Sequence, residues 1–190
     1  MTTLLIAEHD DTALKETTAR ALTAAVELGG PVHILVAGKG CAGAAAEASR
    51  LTGVAKVLFA EDDRLAHQHS EPLAALVISL APAYDAFVAP ATANGKTVMP
   101  RIAALLDTMQ VSEITKVVAA DTFERPIYAG NAIETVKTGG AKRVLTVRTA
   151  AFKAATSGDA SAPIETTAMP AGAARSEFIG AEITRSSGRS

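Results

Sequence analysis

Short apolar segments alternate with helical segments in the first half of this 190-residue chain, and this alternation constrains its fold more than any other feature. The apolar segments are Leu4–Ala7, Val32–Ala37, Val57–Ala60 and Ala86–Ala89. Apolar residues at three- and four-residue intervals, or high alanine content, predict helices at Thr12–Leu28, Cys41–Leu51, Glu71–Leu80 and Thr97–Leu106. Strands that are apolar on both faces need helices on both sides. The chain is therefore predicted to form an α/β three-layer sandwich with a mostly parallel sheet.

The second half of the chain lacks a helical signal and contains five short β-like segments. They are Val111–Ile114, Lys116–Ala120, Glu124–Tyr128, Ile133–Lys137 and Arg143–Arg148. Turn residues separate them, including the Gly130-Asn131 and Gly139-Gly140 pairs. We predict a mixed or antiparallel extension that leads to one last core strand at Arg143–Val147.

From Ala151 onward the composition changes to alanine, serine, threonine, glycine and proline, which is typical of a linker. We therefore predict an α/β domain over residues 1–150 and a linker over residues 151–190. One alternating segment near 178–183 indicates a short strand or a docking segment within that linker.

Charge and cysteine content exclude several classes of protein. Lysine and arginine total 18 against 20 acidic residues, which argues against a general binder of nucleic acid or anionic membranes. The single cysteine, Cys41, excludes an internal disulfide and a cysteine-only metal site. No apolar run reaches the roughly 18 residues that a membrane span needs. Since an apolar strand starts at Leu4 without a leader, we expect a cytoplasmic protein, or a mitochondrial matrix protein only if a leader has been removed.

Two glycine-containing segments resemble phosphate-binding loops. Gly38–Gly43 matches G-x-G-x-x-G, and Glu61 and Asp62 follow about twenty residues on, where a ribose-binding acid is expected. However, this segment follows the second predicted strand rather than the first. Asn94–Thr97 resembles the end of a P-loop, but the first glycine of that pattern is replaced by Pro90, which lacks an N–H. A helix that starts at Thr97 is the simpler interpretation.

The remaining polar residues form no catalytic constellation. His67 and His69 could coordinate a metal together only if they lay on a strand. A surface location is the simpler interpretation for all the histidines. Asp10 and Asp11 are expected to cap the next helix. Cys41 is expected at a helix start, where thiolate character rises, although a lone cysteine in an alanine-rich helix is more often packed. No catalytic residue and no metal ligand is assigned.

A stretch of the second half, TFERPIYAGNA from Thr122 to Ala132, resembles the T-F-x-R-x-I-Y-A-G-N-A segment of the electron transfer flavoprotein alpha subunit. The resemblance covers about residues 3–152 in a consistent order. It includes Leu4–His9, Gly53–Leu58, Gly95-Lys96, Pro100-Arg101, Thr135–Lys137 and Lys142–Phe152. It implies an N-terminal α/β domain of such a subunit, without the C-terminal FAD-binding domain.

The resemblance implies a heterodimer with a beta subunit. Such a heterodimer carries FAD and passes electrons from flavin dehydrogenases, including those of fatty acid beta-oxidation, to a quinone oxidoreductase. The family holds FAD mainly in the second alpha domain and AMP in the beta subunit. Neither cofactor is therefore assigned to a residue of this chain, and none is expected on the isolated chain. We expect an electron carrier subunit without catalytic residues of its own.

The segment that carries the resemblance also offers aromatic and aliphatic side chains among polar groups, as the core of an interface does. The candidate residues for a subunit or domain interface are Phe123, Arg125, Ile127, Tyr128 and Asn131. The alternative is a turn-rich hairpin that packs only on its own domain.

A different class of function also fits the predicted fold. A stand-alone domain would bind a nucleotide at the carboxyl ends of its strands, near Ala7–Asp10, Gly38–Gly43 and Asn94–Thr97.

Overall fold

The computed structural model describes residues 1–172, 178–180 and 182, and these residues contain four α-helices and ten β-strands. The helices are α1 (Glu16–Glu27), α2 (Ala42–Ser49), α3 (Ser70–Leu80) and α4 (Ala93–Leu105). The strands are β1 (Thr3–Ile6), β2 (Val32–Gly38), β3 (Val54–Glu61), β4 (Ala86–Pro90), β5 (Gln110–Ile114), β6 (Lys116–Ala119), β7 (Thr122–Ile127), β8 (Ala132–Lys137), β9 (Arg143–Val147) and β10 (Ile164–Thr166). The predicted segment near 178–183 contains no strand at 178–180 or 182, and its residues 181 and 183 lie outside the described part.

Seven of the strands form one sheet in the order β10-β3-β2-β1-β4-β9-β5, with every neighbouring pair parallel. The other three form a separate antiparallel sheet in the order β6-β7-β8. The predicted α/β sandwich with a mostly parallel sheet is confirmed. The second half differs from the prediction in one respect, because β5 joins the main sheet beside β9 rather than the antiparallel extension.

The main sheet is buried on both faces because helices cover each side, and successive residues of its strands point to opposite faces. Leu5, Ile34 and Val36 pack in one cluster with α1 and α2. Leu4 and Leu35 pack in a second cluster with α3 and α4. The two clusters are the two interfaces of the three-layer sandwich. Alanine supplies much of the helical contribution to the first cluster, and its small side chain lets helices lie close to a sheet.

Helix α1 begins later than its predicted start at Thr12. The Asp10 carboxylate accepts hydrogen bonds from the backbone N–H groups of Thr12 (3.0 Å) and Ala13 (2.8 Å). These hydrogen bonds form a turn in the loop before the helix, and they occupy the Asp10 carboxylate that was expected to cap the helix. Asp10 therefore caps the turn between β1 and α1, and the helix itself has no side-chain cap.

Helix α4 begins at Ala93, before the predicted start at Thr97. The residue before the helix is Thr92, whose hydroxyl oxygen accepts a long hydrogen bond (3.5 Å) from the Gly95 N–H. Pro100 lies inside the helix. It deprives one helical carbonyl of its usual N–H partner.

The small antiparallel sheet rests on the main domain through one of its faces. Phe123 on β7 is fully buried in the α1/α2 cluster and lies opposite Val117 on β6 and Val136 on β8. The N–H of Thr115 also donates to the carbonyl of Glu124 at 2.8 Å, between the end of β5 and β7. The small sheet is therefore held at the β5 edge of the main sheet.

The chain after β9 crosses the α1 and α2 side of the sandwich to reach the opposite edge of the main sheet. Arg20 on α1 donates to the Phe152 carbonyl (2.9 Å), and the Ala155 N–H donates to the Ala19 carbonyl (3.0 Å). Strand β10 then pairs in parallel with β3. The division of the chain near residue 150 stays a prediction. The structure adds that residues 152–166, part of the expected linker, pack on the same sandwich.

Candidate functional site

Left-handed backbone angles are concentrated at the loops and strand ends of this fold. In the described part of the chain, six non-glycine residues have positive φ, and they are Asp11, Gln68, Asp107, Glu113, Tyr128 and Ala129. Such angles are uncommon outside glycine, and in proteins they cluster at functional sites. Glu113, Tyr128 and Ala129 line one cavity of about 700 Å³. This cavity, which we call the Tyr128 cavity, is therefore the candidate functional site.

The Tyr128 cavity lies where three parallel strands end. Ala91 follows β4, Glu113 belongs to β5, and Arg148 follows β9. The end of β7 and the turn at Tyr128–Gly130 form the other wall. Open parallel sheets place their functional groups at this carboxyl edge, so the position agrees with the general rule for the fold.

Three charged residues, Glu113, Arg125 and Arg148, line the cavity, and Lys96 and Glu134 are ion-pair partners of two of them. Lys96 forms an ion pair with Glu113. This hydrogen-bonded ammonium, assisted by Arg148 and Arg125, lowers the pKa of Glu113 despite its partial burial. Arg125 donates from Nε to the Ser112 carbonyl at 2.9 Å. Its Nη1 atom lies 3.3 Å from a carboxylate oxygen of Glu134. Within the described part of the chain, the Arg148 guanidinium has no hydrogen bond or ion pair.

The structure places the predicted interface residues around this cavity with unequal exposure. Tyr128 is 80% exposed, and Arg125 and Ile127 are half-buried in the wall. Asn131 is exposed just beyond the turn. Phe123 is fully buried, so its contribution to any interface is to hold β7 in place.

Sequence reasoning missed Glu113, Lys96 and Arg148 at this site. The prediction had placed the β5 segment in the extension, so Glu113 was not expected beside the end of β9. One usable signal was that Arg148 directly follows an apolar core strand, and residues in that position lie at the carboxyl edge of a parallel sheet.

The usual ligand position of an open α/β sheet is closed in this chain. Strand order reverses between β1 and β4, and the space there is about 20 Å³, far below the 300–1,000 Å³ typical of ligand sites. Gln68 crosses this opening. It donates to the His9 carbonyl (3.1 Å) and accepts from the Asn94 side chain (2.7 Å).

The G-x-G-x-x-G segment packs closely against the rest of the protein. A Cβ at Gly38 would lie 2.7 Å from the His9 ring, and a Cβ at Gly43 would lie 2.6 Å from the Thr12 carbonyl oxygen. The Gly40 N–H donates to the carboxylate of Glu61, the residue expected to bind a ribose. Gly38 and Gly43 therefore serve close packing, and the Gly40 N–H already has a carboxylate partner. Neither this loop nor the closed switch point fits the pyrophosphate of a dinucleotide such as FAD.

The Asn94–Thr97 segment is also explained by packing. A Cβ at Gly95 would lie 1.9 Å from the Pro90 carbonyl oxygen, so only glycine lets α4 approach β4 this closely. The Thr97 hydroxyl donates to the Asn94 carbonyl (2.9 Å). Lys96 points to Glu113, where it forms the ion pair in the Tyr128 cavity.

Cys41 and the histidines occupy different environments. Cys41 is fully buried at the start of α2, and burial raises the pKa of its thiol to about 11. The packed interpretation of this residue is therefore confirmed. His9 is buried, which corrects the expectation that the histidines are at the surface. His67 is exposed and its ring stacks on Phe178, with ring centroids 3.7 Å apart. Among the described residues, no group of three or more His, Cys, Asp or Glu could hold a metal ion.

A family model and individual relatives place the chain in the same protein family. A family model described as the electron transfer flavoprotein domain matches residues 3–171. The chain is 60% identical to the electron transfer flavoprotein subunit alpha of Bradyrhizobium diazoefficiens and 47% identical to that of Pseudomonas aeruginosa. Both alignments cover 98% of this chain, and they cover 59% and 60% of the relatives. Identity to the probable mitochondrial subunit alpha of Caenorhabditis elegans is 36%, over 97% of this chain and 56% of the relative.

The chain belongs to the electron transfer flavoprotein family.

This membership confirms the resemblance read from Thr122–Ala132, which in the structure forms β7 and the turn that walls the Tyr128 cavity. The chain spans about three fifths of the length of the two bacterial electron transfer flavoprotein relatives. No helix in the described residues is both long and apolar enough to cross a membrane.

Proposed function

We propose that this chain is the N-terminal scaffold and subunit-contact domain of an electron transfer flavoprotein alpha subunit. The family match over residues 3–171 is the observation that carries this proposal. In this role the chain pairs with a beta subunit, and the heterodimer passes electrons from flavin dehydrogenases to a quinone oxidoreductase. The chain supplies no catalytic residue. A bacterial cytoplasmic location belongs to the same proposal and is supported by the high identity to bacterial relatives.

The cofactors of this carrier are proposed to lie mainly outside the chain, FAD in a second alpha domain and AMP in the beta subunit. Two observations support this placement. The opening between β1 and β4 is about 20 Å³, and the glycine loop already binds the Glu61 carboxylate. The same two observations weigh against a stand-alone nucleotide-binding domain.

The contact with the beta subunit is proposed at the Tyr128 turn. Tyr128 is held in a left-handed conformation (φ 49°) with most of its side chain in water. Tyrosine and arginine are enriched among the residues that contribute most to binding free energy at protein interfaces. Arg125 and Ile127 line the adjacent wall, and Asn131 extends the surface.

A binding experiment with the beta subunit of the same organism tests this proposal. We expect the full chain to bind the beta subunit and Tyr128→Asp to weaken that binding at least tenfold, as measured by calorimetry. Ile164→Asp is the matched control, because Ile164 is an exposed apolar residue on β10 at the opposite edge of the sheet. Unchanged affinity in a folded Tyr128→Asp variant would exclude the Tyr128 turn as the contact.

A further inference from the structure

We propose that Arg148 binds a carboxylate side chain of the beta subunit within the Tyr128 cavity. This inference rests on the proposed function, since it names the chemistry that the partner must present at the same surface. It assigns a binding role to a residue that lies outside the segment from which the interface was predicted.

Among the described residues, one cation of the cavity has no ionic partner. Lys96 is paired with Glu113, and Arg125 is paired with Glu134 and also donates to the Ser112 carbonyl. Arg148 is exposed and has no such partner in the part of the chain that the structure describes. Its positive charge helps to lower the pKa of Glu113, but the hydrogen bond from Lys96 to that carboxylate is the larger cause. As far as residues 1–172, 178–180 and 182 are concerned, the cavity therefore presents an unpaired guanidinium to a partner that covers it.

The backbone of Arg148 is fixed on both sides. Its N–H donates to the Ile114 carbonyl at 3.0 Å, and its own carbonyl accepts from the Ala151 N–H at 2.9 Å. The preceding residue, Val147, is fully buried in the main sheet. Because the backbone is already fixed, less conformational entropy is lost when the interface forms. The planar guanidinium can donate two parallel hydrogen bonds to one carboxylate.

The surroundings of Arg148 favour a carboxylate from a protein partner over a free ion. The cavity is open to solvent, and apolar atoms of Ile127, Ala129 and Ala150 lie among its polar ones. Tyr128 stands exposed at its rim, where the partner is proposed to dock. A partner seated on Tyr128 would exclude water from the cavity, and exclusion of water strengthens the attraction between Arg148 and the carboxylate.

Charge reversal at Arg148 tests this inference with the full chain and the beta subunit. We expect Arg148→Glu to weaken beta-subunit binding at least tenfold, and Arg148→Lys to weaken it less because the charge remains. We also expect the difference between the wild type and Arg148→Ala to shrink as salt is raised, since an ion pair is screened. Arg50→Glu is the matched control, because Arg50 is an exposed arginine at the end of α2.

The outcomes separate this inference from the proposed function. If the wild-type chain does not bind the beta subunit, the proposed function and this inference both fail. If the chain binds but folded Arg148→Glu binds equally well, only the inference is overturned. The inference would also be overturned if Arg148→Ala bound more weakly than the wild type by the same factor at every salt concentration. A purely steric role of Arg148 would give such a constant difference, because it does not depend on salt.

Discussion

The backbone N–H of Gly40 donates a 2.9 Å hydrogen bond to the side-chain carboxylate of Glu61. In a dinucleotide-binding loop, such an N–H would face a phosphate of the ligand. Here the end of β3 supplies the anion from within the protein. The same two residues that suggested nucleotide binding in the sequence therefore show how this loop is stabilised without a ligand.

The carboxylate of Glu61 is expected to stabilise the glycine loop. Glu61→Ala removes the partner of the Gly40 N–H, and we expect the free energy of unfolding to fall by about 0.5–1 kcal/mol, since the bond is exposed to water. Urea denaturation measures the change. Glu61→Gln keeps an acceptor oxygen and should lose less. Equal stability of wild type and Glu61→Ala would show that the bond contributes nothing.

Sequence patterns predicted the main sheet well because its strands are apolar on both faces and alternate with helices. They predicted α4 but placed its start too late, because Asn94 and Gly95 are typical of a turn and outweighed the helical signal. The close approach of α4 to Pro90 requires glycine there, and that contact is formed only in the tertiary structure.

The candidate site was predictable only in part, for a similar reason. Tyr128 and its neighbours were found because they lie together in the chain. Arg148 and Glu113 come from strands that are neighbours only once β5 has paired with β9. Pairing of distant segments cannot be derived from local periodicity.

Substitution of Gly95 is expected to destabilise the fold strongly. In Gly95→Ala the new Cβ would lie 1.9 Å from the Pro90 carbonyl oxygen, so α4 must move away from β4. We expect a loss of about 3 kcal/mol or more in the free energy of unfolding. Gly139→Ala is the control, because its new Cβ would have no non-neighbouring heavy atom of the described residues within 4 Å. A Gly95→Ala protein as stable as the control would mean that α4 lies farther from β4.

Cys41 is expected to resist alkylation in the folded protein. Burial raises the pKa of its thiol to about 11, so the thiolate is scarce at pH 8, and the side chain is inaccessible. Iodoacetamide labelling, followed by intact-mass measurement, should modify the protein in urea but not in buffer. Complete labelling of the native protein at pH 8 would contradict the buried position.

Asp10 is expected to titrate at unusually low pH. Hydrogen bonds from the Thr12 hydroxyl and from the backbone of Ala13 and Thr12 lower the pKa of its carboxyl from 3.8 to about 2. Because the folded pKa is the lower one, Asp10 stabilises the fold above pH 3.8, and this contribution is lost as the pH falls through about 2.

Removal of the Thr12 hydroxyl should raise the pKa of Asp10 towards its ordinary value. A carboxyl-detected NMR titration of Thr12→Val measures the shift. Asp62 serves as the internal control, since Arg64 holds its pKa at about 2 independently of Thr12. The prediction fails if the pKa of Asp10 is the same in Thr12→Val and the wild type.

The pairing of β10 with β3 has a consequence for the order of folding. Ile164 pairs with Val57, and the two residues are separated by a little more than half of the chain. During synthesis, β1 to β4 and their helices emerge long before β10 does. Until then β3 is an open sheet edge, the kind of surface that invites pairing with other chains. The segment that runs from β9 to β10 therefore covers this edge of the sheet late. Aggregation of the nascent protein should depend on how soon β10 is synthesised and pairs with β3.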